Sequence, residues 1–181
     1  MELSKDEKEI LLKAARQSIL SAFGEAEKPA IDYKAYPVLK EKRGAFVTLK
    51  ENGKLRGCIG YIIAIGPLFE IVVESAKAAA FNDPRFNKLS RDELDKVKIE
   101  ISVLSPFEPI KSYDEIEIGK HGLLLDEGGR AVLLPQVATE NNFTREQFLT
   151  ALCHKAGLYG DYWKERMLKI KVFSAEVFSE E

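Results

Sequence analysis

Two runs rich in strand-forming residues, 44–50 and 54–61, flank Glu51-Asn52-Gly53. An Asn-Gly step between such runs specifies a β-hairpin. Side chains alternate along a strand, so the hairpin's register decides which residues meet the core and which meet solvent. A two-residue Asn52-Gly53 loop pairs Leu49 with Arg56 and Val47 with Cys58, which mixes polar and apolar residues on both faces. A three-residue loop, with Gly53 in the left-handed region and a bulge, separates them. It pairs Leu49 with Leu55, Val47 with Gly57 and Ala45 with Ile59 on one face. The other face then carries Lys50 with Lys54, Thr48 with Arg56 and Phe46 with Cys58. The three-residue loop is the expected one.

On that reading Arg56 and Cys58 share the polar face. A neighbouring cation favours the thiolate, the nucleophilic form of cysteine. Gly57 and Gly60 allow another backbone or a ligand to come close. The competing reading makes Cys58 a small space-filling residue beside Phe46, since free cysteines are commonly buried and inert.

The rest of the composition narrows the class. A chain of 181 residues, 45% hydrophobic, supports one domain, with room for two lobes. The 27 basic residues are balanced by 29 acidic ones, so no basic excess draws the chain to nucleic acid or an anionic membrane. The two cysteines, Cys58 and Cys153, form no CxxC, and there are only two histidines. That pattern fits neither a zinc site nor a disulfide framework. The first residues lack a signal-peptide core, and no apolar run reaches membrane-spanning length. The expectation is a cytoplasmic protein with no membrane partner and no metal.

Ser4 and Glu7 form a capping box for a first helix whose inner face is Ile10, Leu11, Ala14, Ser18, Ile19 and Ala22, ending before Gly24. Gly66-Pro67 opens a second helix, with proline at its first position and Leu68, Ile71, Val72, Ser75, Ala76 and Ala79 inward. Asn82-Asp83-Pro84-Arg85 ends it, and Ser90 with Glu93 caps a short helix. Val97, Ile99, Ile101 and Val103 alternate with polar residues as a half-buried strand. Segments 121–126 and 130–134 suggest a hairpin turned at Glu127-Gly128-Gly129. Thr144 and Gln147 box a helix with Phe148, Leu149, Leu152, Cys153 and Ala156 inward, stopped by Gly157. The stretch 168–178 reads as one strand, with a bulge or bend between Val172 and Phe173 where the apolar parity shifts. The fold class is α+β: a mostly antiparallel sheet with helices packed on it.

Several separated segments resemble one family. Leu55-Arg56-Gly57-Cys58-Ile59-Gly60 is similar to the signature of the AMMECR domain family. Asp83-Pro84-Arg85-Phe86 with Leu89 and Glu93-Leu94, then Ile101–Pro106 with Glu108, resemble its next blocks. Gly119–Leu123, and Leu134–Ala138 with Glu140, resemble the last two. The resemblance runs from about residue 8 to the C-terminus. It implies a single domain over 1–181, made of two unequal lobes with the signature lining a groove between them. It also implies a place beside Memo-type and radical-SAM proteins in a biomolecule-modification pathway, but no reaction and no cofactor. Phe143 departs from the family, where many relatives carry tryptophan.

The candidate catalytic residues are Cys58 as nucleophile and His121 or Glu140 as proton carriers. Arg56, Arg85 and Gln136, with Gly57 and Gly60, are the candidate substrate contacts, suited to an anionic small molecule or RNA. Several have a structural alternative. His121 can cap a strand end through a backbone hydrogen bond. Arg85 can pair with Asp83, and Glu140 can cap the segment that follows it. His154 suits a helix C-terminus, and Cys153 a core. Glu70 and Glu74 read as a solvated helix face with Glu74 paired to Lys77. Two functions compete: an enzyme or enzyme component centred on Cys58, and a non-catalytic binding module for a nucleotide, RNA or protein.

Overall fold

The computed structural model describes residues 2–127 and 130–181. The chain forms two compact units. The first comprises Met1–Leu104 with Glu176–Glu181, and the second Ser105–Ala175.

The first unit opens with α1 (Lys5–Ala22), capped by the reciprocal Ser4/Glu7 pair. Strands β1 (Ala45–Glu51) and β2 (Lys54–Tyr61) make the hairpin. They are followed by α2 (Leu68–Phe81), α3 (Arg91–Leu94) and β3 (Val97–Leu104). The helix and strand assignments agree with the sequence pattern. Pro67 proves to be the residue preceding α2 rather than its first residue. All six residues expected on the inner face of α2 are buried. Ala14, Ala15 and Ser18 of α1 and Ser75, Ala76 and Ala79 of α2 are buried too, and the Ser18 hydroxyl donates to the Val73 carbonyl at 2.7 Å. Small side chains let the two helix backbones come close. Both helices share a core with the fully buried Val47, Leu49, Ile99, Ile101 and Val103 of the sheet.

The hairpin corrects the expected register. Asn52 and Gly53 both have positive φ, 51° and 77°, and Glu51 pairs directly with Lys54. The loop therefore has two residues, of the kind whose twist matches the flanking strands. The bulge lies further along: Lys50 faces Leu55, Leu49 faces Gly57, and Arg56 is the extra residue. Thr48 then pairs with Cys58, Phe46 with Gly60 and Val47 with Ile59. A two-residue turn plus a bulge separates polar from apolar residues as well as a three-residue loop does. The position of the bulge follows from packing. A Cβ on Gly57 would lie 2.2 Å from the Ala79 carbonyl oxygen, so α2 rests directly on this glycine.

The second unit contains β4 (Glu108–Pro109), β5 (Gly122–Leu125), β6 (Ala131–Leu133), α4 (Pro135–Glu140), α5 (Arg145–Lys155) and β7 (Ile170–Phe173). The chain ends in β8 (Ala175–Ser179). The sequence reading gave neither β4 nor α4. Its turn at Glu127-Gly128-Gly129 falls at Gly128 and Gly129 outside the described residues. The single strand expected over 168–178 is two strands parted at Ser174, and they belong to different sheets: β4-β7-β5-β6 and β2-β1-β3-β8. The break lies at Ser174, one residue beyond the bend expected between Val172 and Phe173, because Phe173 still pairs with Gly122. Phe148, Leu149, Leu152 and Cys153 of α5 pack with Leu123, Leu125, Ile170 and Val172. Gly122 faces Phe173, and a Cβ there would lie 2.4 Å from the ring.

Candidate functional site around Cys58

In the first sheet β2 is an edge strand. Edge strands leave backbone groups unpaired unless something covers them. Here the turn after α2 does so. The Asp83 carboxylate accepts the Cys58 backbone N–H at 2.9 Å. It also accepts the Arg85 backbone N–H at 3.0 Å, the Arg85 Nε–H at 3.0 Å and an Nη2–H at 2.7 Å. The bond to the backbone two residues on is the Asx-turn habit of aspartate. Arg85 Nη2 also reaches the Cys58 carbonyl at 3.4 Å. Asp83 is almost wholly buried, with 2% side-chain exposure, whereas Arg85 is 55% exposed. The Arg85 guanidinium, aided by the Cys58 N–H against the cost of burial, holds the Asp83 carboxyl well below the usual carboxylate range.

Arg56, the bulge residue, turns to the same turn-and-helix segment. Its Nε and Nη2 donate to the two Glu93 oxygens at 2.9 and 3.2 Å, and Nη2 donates to the Asn87 carbonyl at 3.1 Å. Arg56 Nη1 is buried with no hydrogen-bond partner among the described residues. Both arginines lie over the Phe86 ring. Arg56, assisted by the Ser90 backbone N–H, draws the Glu93 carboxyl down to about 2. The first two sequence blocks are thus one structure, tied by the Arg56–Glu93 pair and by the Asp83 carboxylate on the Cys58 backbone N–H.

The Cys58 side chain is half-buried, and the Thr48 hydroxyl donates to its sulfur at 3.2 Å. Gly60, opposite Phe46, has no room for a side chain: a Cβ would lie 2.3 Å from the Ala45 carbonyl oxygen. The space at Gly57 and Gly60 is filled by the protein's own backbone.

The remaining candidates lie in the second unit. His121 Nδ1 accepts the Glu117 backbone N–H at 3.1 Å, and the His121 N–H donates to the Glu117 carbonyl at 2.9 Å. With Nδ1 an acceptor, a neutral ring carries its proton on Nε2. Gln136 is half-buried near the start of α4, and its Oε1 is buried without a hydrogen-bond partner among the described residues. Glu140 is exposed at the end of that helix. Cys153 is fully buried, and burial pushes its thiol up, offset in part by the Trp163 backbone. His154 sits in the last turn of α5. No ion pair joins Glu74 to Lys77 among the described residues, and Glu70 instead accepts from the Tyr33 hydroxyl at 3.4 Å.

Three residues of the Cys58 cluster escaped the sequence reading in these roles. Asp83 was visible only as a partner for Arg85, Glu93 only as a cap, and Thr48 only as a strand residue. The signal available was the Asp-Pro-Arg turn after a helix that must return to a sheet edge.

No helix among the described residues is long and apolar enough to cross a membrane. Comparison with known proteins places the chain. Residues 12–178 match the AMMECR1 family model. A protein of Methanothermobacter thermautotrophicus is 39% identical over 99% of this chain and 97% of its own length. One of Methanopyrus kandleri is 43% identical over 99% and 91%. An uncharacterised protein of Pyrococcus horikoshii, known from a crystal structure, superposes with a TM-score of 0.85 at 35% identity, covering 100% of this chain and 95% of that one. The family match and these relatives span nearly the whole length, and the chain belongs to the AMMECR1 family.

Proposed function

We propose that the protein is an enzyme, or an enzyme component, in which Cys58 attacks or carries a group of a small anionic substrate. The observation that carries this reading is the double role of Asp83. One buried carboxylate fixes both the backbone of Cys58 and the guanidinium of Arg85, so a thiol and a half-exposed cation are held in a set relation. In the attack the sulfur's electron pair forms a bond to an electrophilic carbon, the displaced group leaves with its own pair, and the thiol proton passes to water. Arg85 offers hydrogen bonds to the negative charge that develops. His121 and Glu140 take no part in this step.

A second reading, a binding module for a nucleotide, RNA or protein, is favoured by the Thr48 hydroxyl. It donates to the sulfur and takes no proton from it, and among the described residues no base is hydrogen-bonded to the thiol. Action beside Memo-type and radical-SAM proteins, in the cytoplasm, belongs to the proposal. Two free cysteines fit a reducing compartment.

The discriminating experiment is intact-mass spectrometry of wild-type protein and Cys58→Ser after incubation with a cell extract depleted of protein. A mass adduct mapped to Cys58 and absent from Cys58→Ser supports covalent chemistry. Equal thermal stabilisation of both proteins without an adduct supports the binding module instead. Co-purification of a Memo-type or radical-SAM protein with the tagged chain tests the pathway.

A further inference from the structure

The face of the first sheet turned away from α1 and α2 carries an arrangement that fold stability does not explain. Lys50 of β1 lies directly opposite Lys98 of β3. Like charges in that position repel and weaken a sheet. Lysines protect exposed edges against unwanted pairing, but β1 and β3 are the two central strands. Lys96 adds a third positive charge, and all three line a depression of about 390 Å³ together with Asn52, Ser179 and Glu100. Glu100 is taken by Lys50 at 2.8 Å. Lys96 and Lys98 are exposed and have no acidic partner among the described residues. Three ammonium groups against one carboxylate leave an excess of positive charge in a concave space of small-molecule size. The next row on the same face is Cys58, Thr48 and Glu100. Same-face rows two residues apart are separated by about 7 Å along a strand.

We propose that this depression binds the phosphate of a phosphorylated small molecule whose other end meets Cys58. The proposal rests on the Cys58 reading and narrows its substrate class. Lysine ammonium groups are point charges that gather around a phosphate from several directions, and the Asn52 amide and Ser179 hydroxyl supply neutral donors. The pocket is compact and the chain as a whole slightly acidic, which favours a small molecule over a polynucleotide.

The test is calorimetric titration of inorganic pyrophosphate into the full chain at low salt. Wild-type protein and Cys58→Ser bind it equally, Lys98→Gln weakens binding roughly tenfold or more, and Lys77→Gln on the outside of α2 leaves it unchanged. Without ligand, Lys98→Gln melts no lower than wild type, because the like-charge pair is relieved, so lost binding is not lost folding. The proposal is overturned if pyrophosphate does not bind, if Lys98→Gln binds as wild type does, or if Lys77→Gln loses as much. It is also overturned if poly(U) binds more tightly than pyrophosphate through the same lysines. Cys58 alkylation separates the two claims. A reactive Cys58 without pyrophosphate binding removes the phosphate site alone. Pyrophosphate binding beside an inert Cys58 removes the thiol reading and leaves an anion site.

Discussion

The two cysteines occupy opposite kinds of surroundings. Cys153 lies on the apolar face of α5 among Phe148, Leu149 and Leu152, fully buried. Cys58 sits half-buried on an edge strand, with a hydroxyl on its sulfur and a buried aspartate on its backbone. A thiol in a core is a small hydrophobe, and burial holds it protonated. A thiol on a strand edge, tied to a carboxylate–guanidinium pair, is exposed to reagents and held in place. The contrast teaches that a cysteine's role here is set by what covers its strand or helix, not by the residues beside it in sequence.

The largest expected effect sharpens the contrast from the packing side. Gly57→Ala places a methyl group against the Ala79 carbonyl oxygen, where backbone must move. The loss should be about 3 kcal/mol or more, read as the shift in urea midpoint, with Cys58 displaced along with its strand. Cys153→Ser should cost about 1–3 kcal/mol, because a hydroxyl enters an apolar core. Cys58→Ser should cost less than about 0.5 kcal/mol, since that side chain is part-exposed beside another hydroxyl. Equal losses for the two serine variants would erase the distinction.

Asp83→Asn should cost roughly 1.5–3 kcal/mol, the scale of charge-assisted hydrogen bonds. Arg85 is half-exposed and is not left as a buried charge. The same variant should change the alkylation rate of Cys58 and not that of Cys153. The smallest effect is in the acid limb. Asp83 and Glu93 both titrate below their ordinary values in the folded protein. The stability they contribute is present above the unfolded values and is lost as pH falls through the folded ones. For Glu93 that window runs from 4.5 down to about 2. Glu93→Gln should therefore flatten the fall in stability across that range, measured by chemical denaturation at successive pH values. A slope as steep as wild type would show that the Arg56–Glu93 pair contributes nothing there.

Much of the local structure was legible in the sequence. The capping boxes at Ser4, Ser90 and Thr144 and the buried face of α2 follow from short-range chemistry, and each forms as expected. What was not legible depends on distant partners. The bulge at Arg56 is fixed by α2 lying on Gly57, a contact no local pattern reveals. The parity shift near Val172 was visible, but not that the halves join different sheets. At the site, Arg56 and Cys58 stood out in one short run. Asp83 did not, because the backbone it serves is 25 positions away. Lys50 and Lys98 likewise meet only once β1 and β3 pair.

The most direct test is alkylation of the folded protein with iodoacetamide across a pH series, mapped by mass spectrometry to each cysteine. The account predicts fast labelling of Cys58 in the folded protein, while Cys153 labels only on unfolding. Slow or absent labelling of Cys58, matching Cys153, would contradict it and would make the strand edge a scaffold.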